Sequence, residues 1–160
     1  MAPPAENVPP GWKDTNPKDA LGISRAPLSC ISGPVLYELG LAMFEGARKY
    51  RRHNYRVAGV RHSVYFDAAM RHLWAFWEGE DIDPDSGVHH LTKAIACMFV
   101  LRDSMLVGND VDDRPPAYHS GFVKPMNDLA QAIVEKMPGA LPPYTEKENG
   151  SAREQTDPGS

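Results

Sequence analysis

Two stretches of this chain leave almost no polar face. "SVYFDAAMRHLWAFWEG" (Ser63–Gly79) carries Val64, Phe66, Leu73, Trp74 and Trp77 among its apolar residues, and "LTKAIACMFVLRD" (Leu91–Asp103) is similar. Helices that are apolar nearly all round are buried on more than one side. Between them, "GEDIDPDSGVHH" (Gly79–His90) places four carboxylates within six residues and then two adjacent histidines. A loop this short makes the two helices antiparallel neighbours. One chain of 160 residues rarely buries two such helices completely, so a homodimer or homotetramer is the expected cover.

Helical spacing predicts four helices, over about 34–50, 63–78, 86–107 and 125–136. Ser32 and Pro34 open the first, Ser63 caps the second and Gly79 stops it. Asp85 or Ser86 caps the third, which ends at Gly108, and Pro125 and Pro138 bound the fourth. "RRHNYRVAGVRH" (Arg51–His62) and "NDVDDRPPAYHSGF" (Asn109–Phe122) read as loops. No stretch alternates as a strand does. The expected class is all-α, a helical bundle forming one domain over 12–140. Residues 1–11 and 141–160 read as disordered tails.

The net charge of −4 argues against coating a nucleic-acid backbone. No apolar segment is long enough to span a bilayer, and "MAPPAENVPP" has no apolar signal core, so a cytoplasmic protein is expected. Cys30 and Cys97 form no C-x-x-C pair, and Cys97 reads as a buried free thiol.

Asp67, Arg71 and His72 interrupt the second helix. Burying unpaired charge is costly, so Asp67 and Arg71, four residues apart, either pair or line a polar site inside the bundle. Counting outward from the connecting loop sets His72 opposite His89–Lys93. Glu38 and Glu45, seven apart, share a face of the first helix. Carboxylates converging from several helices are a common way for bundles to hold divalent metals. Asp81, Asp83, Asp85 and Gly87 spell D-x-D-x-D-x-G, but Ser86 and Thr92 stand where a calcium-binding EF-hand needs Gly and an acid. Acids here also complement the dipole of the following helix. No His-Asp dipeptide marks an HD phosphohydrolase, and structural zinc lacks its cysteines. Lys18, Arg48, Lys49, Arg51, Arg52 and Arg56 give cations suited to a polyphosphate, or a solvated basic surface.

Five segments in order, "NPKDALG", "GLAMFEGARKYRRHNYR", "SVYFDAAMRHL", "GEDIDPDSGVHHLTKA" and "DDRPP", resemble the phage dATP/dGTP diphosphohydrolase family over about Asn16–Pro116. That family is the MazZ-like branch of the MazG/all-α nucleotide pyrophosphohydrolases. The resemblance implies an oligomeric helical enzyme using Mg²⁺ or Mn²⁺. It implies cleavage of a purine deoxynucleoside triphosphate between its α and β phosphates, in the host cytoplasm of a phage that replaces adenine with 2-aminoadenine. The superfamily's E-x-x-E and E-x-x-D signatures are met in part: Leu41 follows Glu38 by three, and Val64 precedes Asp67 by three, while Glu78–Asp81 and Glu80–Asp83 fit E-x-x-D at a helix end.

The expected metal ligands are Glu38, Glu45, Asp67, Glu80 and Asp83. Glu45, Asp67, Arg71 and His72 are the expected catalytic residues. Lys18, Lys49, Asn54 and His90 are expected to bind substrate, with Trp12 a further base contact. The alternatives are another nucleotide phosphohydrolase, or a non-catalytic nucleotide-binding module.

Overall fold

The structure is a computed structural model that describes residues 25–118 and 121–145. The chain divides into two compact units, residues 1–114 and 115–160. The expected tail at 1–11 and most of that at 141–160 lie outside the described residues.

The first unit is helical, as its patterning predicts. A 3-10 turn (Leu28–Cys30) precedes α1 (Gly33–Tyr50), α2 (Tyr55–Ala58), α3 (His62–Trp77) and α4 (His90–Val107). No strand occurs among the described residues, only two isolated bridges, Arg61 with Val111 and Ile82 with His89. α4 is the central element and packs against α1, α2 and α3. That position accounts for part of its apolarity, since a helix touched from several sides has little face to leave polar, while Phe99 and Leu106 on the same helix remain exposed in the single chain. α3 runs antiparallel to it. His72, late in α3, meets His90 at the start of α4, and the His62 amide at the start of α3 donates to the carbonyl of Val111, just past α4.

Tyr55, Val60 and Val100 form the core, with Met43, Tyr65 and Leu101 packed against it. The chain turns into this core at Gly59, where φ is +74° and a Cβ would stand 2.2 Å from the Asn109 carbonyl oxygen. Only glycine accepts both that conformation and that approach. The approach is fixed by Asn109, whose amide donates to the Tyr55 carbonyl while its Oδ1 accepts from the fully buried Ser104 hydroxyl.

The helix ends correct the expected caps. Ser63 does not cap α3, which begins one residue earlier with Arg61 at the cap. Ser63 instead donates its amide and hydroxyl to Asp113, at 2.9 and 2.5 Å. Neither Asp85 nor Ser86 caps α4. That helix starts at His90, and His89 caps it by accepting the Leu91 amide on Nδ1. The acids instead build the loop before it: Asp83 accepts from the Ser86 hydroxyl and the Asp85 amide, and the Asp83 amide donates to Val88. The first turn of α4 therefore holds no acid. Gly108, left-handed at φ 80°, ends α4 as expected.

The second unit holds α5 (Val123–Lys136), two residues longer at its start than predicted. Lys124 pairs with Asp128 and Gln131 bonds Glu135, each one turn apart.

Candidate active site

An open cavity of about 640 Å³ lies in the first unit, lined by α1, the loop into α2, α3 and α4. Its deep wall is apolar, with Ala42, Met43, Tyr55, Tyr65 and Val100. Polar groups come from the rim: Glu45, Lys49, Arg51, Arg52, His53, Asn54, His72 and Lys93. Gly40 and Gly46 line it too, and no heavy atom would touch a Cβ at either position. The two glycines weaken α1 as a helix and widen the space beside it. Arg51 and His53 sit at φ 75° and 60°, the only non-glycine residues described with positive φ. A backbone strained at neighbouring positions of a cavity rim is a common sign of a binding loop.

Glu45 is the charge centre. It accepts from Lys49 at 2.5 Å and more closely from Lys93. Burial opposes its charge, but the bonds from Lys49 and Lys93 outweigh burial and hold the carboxyl below its ordinary value. Lys93 also lies 3.4 Å from Asp83, so its ammonium stands between carboxylates from α1 and from the acidic loop. Asp83 is likewise lowered: burial raises it, and Ser86, the Asp85 amide and Lys93 lower it further than burial raises it. One residue earlier on α4, buried Thr92 donates its hydroxyl to Glu38 at 2.8 Å.

His72 and His90 meet across the α3–α4 seam with their Nδ1 atoms 2.8 Å apart. His72 is half-buried and lines the cavity; His90 is 5% exposed and sits behind it. Desolvation lowers the His72 pKa below its ordinary value, and His90 and Lys93 add to the effect. Glu80 stands 3.4 Å from His90 Nε2. The loop is held to both helices by the Glu80 amide on Ala75 and the His90 amide on Asp81. Cys97, also lining the cavity, is a partly buried thiol whose pKa burial raises.

The structure thus gathers Glu45, Lys49, Asn54 and His72 at one cavity, with Glu38 and Asp83 beside it through Thr92 and Lys93. His90 touches His72 rather than the cavity. Asp67 and Arg71 are exposed in the single chain, outside the lining, and not paired with each other among the described residues, so neither the ion pair nor the interior polar site weighed for them is seen in the single chain. Lys18 and Trp12 lie outside the described residues. Among those described, no three His, Cys, Asp or Glu side chains converge closely enough to hold a metal unaided.

Lys93 and Thr92 escaped the sequence reading. "HHLTK" places Lys93 one turn after His90, on the same side of α4, and that spacing was the available signal.

Fold and cavity together define an all-α domain with a cation-rimmed cavity next to two carboxylates that share Lys93. The family model described as dATP/dGTP diphosphohydrolase, N-terminal, matches residues 15–114, and the chain belongs to that family of deoxynucleoside triphosphate pyrophosphohydrolase enzymes. The match ends at Arg114, where the first compact unit ends. No curated protein and no solved structure matched the chain.

Proposed function

We propose that the chain hydrolyses dGTP or dATP between the α and β phosphates, releasing the monophosphate and pyrophosphate with Mg²⁺ or Mn²⁺. The observation that carries this reading is the cavity of the matched unit, whose apolar wall suits a base and whose rim carries cations for a triphosphate.

A divalent cation fits the donors present. Glu45 and Asp83 already share one cation, the Lys93 ammonium, which stands in for the ion, while Glu45 pairs with Lys49 as well. Both donors are hard carboxylate oxygens, and Mg²⁺ characteristically takes one or two carboxylates and completes its shell with substrate phosphates. Glu45 and Asp83 would hold the ion, with Glu38 two turns earlier on α1 and bonded to Thr92. When bound, it neutralises phosphate charge and makes the α-phosphorus more electrophilic.

The chain's own residues do the remaining work. Lys49 and Lys93 offer ammonium groups to the phosphate oxygens, and Arg51 and Arg52 extend that field at the rim. Asn54 supplies donors and an acceptor for a base edge. Tyr65 and Met43 offer apolar contact to its face. The exposed apolar residues of α3 and α4, with Trp74 57%, Trp77 75% and Leu106 68% exposed in the single chain, suit a second copy as their cover. In a phage that builds 2-aminoadenine DNA, the reaction supplies dGMP and lowers dATP.

Incubation with each deoxynucleoside triphosphate and Mn²⁺, with products separated by ion exchange, tests the reading. The expected products are dGMP or dAMP with pyrophosphate, and none in excess chelator. Release of inorganic phosphate and a diphosphate would support the other phosphohydrolase reading. No turnover of any nucleotide, with binding retained, would support a non-catalytic module.

A further inference from the structure

His90 presents a problem that packing does not explain. Among the described residues its Nε2 is the buried side-chain polar atom left without a hydrogen bond. A leucine would fill the same space and leave no polar atom unbonded. Glu80 Oε2 stands 3.4 Å away, a charge contact that makes no aligned hydrogen bond. The other ring nitrogen, Nδ1, faces His72 Nδ1 at 2.8 Å.

Two neutral imidazole nitrogens at that distance share one proton: one carries the N–H and the other the lone pair. The far end of the chain of groups decides which. A carboxylate only accepts, so Glu80 selects the His90 tautomer protonated at Nε2. His90 Nδ1 is then bare and accepts. His72 must donate from Nδ1, which leaves the lone pair on its Nε2. That nitrogen has no bonded partner among the described residues and is not closed off, and its ring lines the cavity.

We propose that His72 is the general base of the hydrolysis, and that His90 and Glu80 are positioning residues that lock it in the base tautomer. This deepens the proposed function and rests on it for the reaction served. The water oxygen bonds to the α-phosphorus, and a water proton passes to His72 Nε2. The bond from the α-phosphorus to the bridging oxygen breaks, and its electron pair leaves with pyrophosphate. Desolvation, with the nearby His90, Lys93 and Arg71, keeps the His72 ring neutral and able to accept, against a smaller opposing pull from Asp83. Glu80 accordingly serves His90 in this scheme and not the carboxylate pair at Lys93.

Two-bond proton–nitrogen correlation spectra of the full-length protein, its histidine rings labelled with heavy nitrogen, read the tautomers without any turnover. The expected spectrum shows His72 protonated at Nδ1 and bare at Nε2, and His90 the reverse. Glu80→Ala should blur both signatures into a mixture and lower kcat by on the order of a hundredfold with KM little changed. Glu80→Gln, whose amide oxygen accepts the same proton, should restore the signature and most of kcat. A thermal melt of each variant separates these effects from loss of fold. The opposite tautomer in the wild type, or unchanged spectra and kcat in Glu80→Ala, would overturn the proposal. The expected tautomers in a protein that turns over no deoxynucleotide would instead overturn the reaction, and with it the role of His72 as its base, leaving the hydrogen-bond chain intact.

Discussion

Glu45 is the side chain on which the most charge converges, with ammonium groups from its own helix and from α4. Replacing it by Gln keeps the shape and removes the charge that both lysines and a divalent ion would use. Turnover should fall at least about a hundredfold, several kcal/mol of barrier being at stake when a metal-linked carboxylate is lost. Asp67→Asn should cost far less, because Asp67 is exposed and outside the cavity. Parallel kinetics of the two variants check this, and equal losses would return Asp67 to the site. Glu45 and His72, which the sequence singled out, both line the cavity, because each is a polar residue on an apolar helix with partners at countable distances. Asp67 has the same pattern but points outward in the single chain, since periodicity on a helix that is apolar all round does not say which face is inside. Lys93 was hidden for a related reason: a lone lysine reads as surface until the carboxylates flanking it are placed.

At the scale of elements, the four long helices were readable to within a few residues, whereas the caps were not, and neither was the short α2, which lies in the Arg51–His62 stretch expected to be a loop. The hydroxyls of Ser63 and Ser86, both expected caps, donate instead to Asp113 and Asp83, tertiary and loop partners that sequence spacing does not reveal. The segment after α4 shows this most clearly. Asp112 and Asp113 return to the start of α3, where Asp113 takes Ser63 and Arg61, and His62 is clasped between Asp110 and Asp112. The hydrogen bond from Arg114 lowers the Asp112 pKa, that from Ser63 lowers Asp113, and that from Arg56 lowers Asp103. Carboxyls lowered by folding add stability above their ordinary value of 3.8 and lose it as pH falls through their folded values. Thermal melts should therefore hold at neutral pH and decline in acid, less steeply in Asp113→Asn and at high salt, since these groups are exposed. A midpoint independent of pH in acid would remove the clamp from the account. Gly59→Ala is expected to be worse than either change. It combines a left-handed φ with a collision on the Asn109 backbone, and a melt should show a loss of about 1–3 kcal/mol or more.

The whole molecule leaves the outer faces of α3 and α4 apolar, with Phe66, Trp74, Trp77 and Leu106 open to solvent in the single chain. Light scattering at micromolar concentration should give a dimer or tetramer, and a clean particle of 17.7 kDa would contradict it. Attack by water at the α-phosphorus within the cavity of the matched unit can be followed by isotope transfer. With dGTP and Mn²⁺ in water labelled with heavy oxygen, mass spectrometry of the products should find the label in dGMP and none in pyrophosphate. Label in pyrophosphate, or in inorganic phosphate released beside dGDP, would place the attack at another phosphorus and contradict the account.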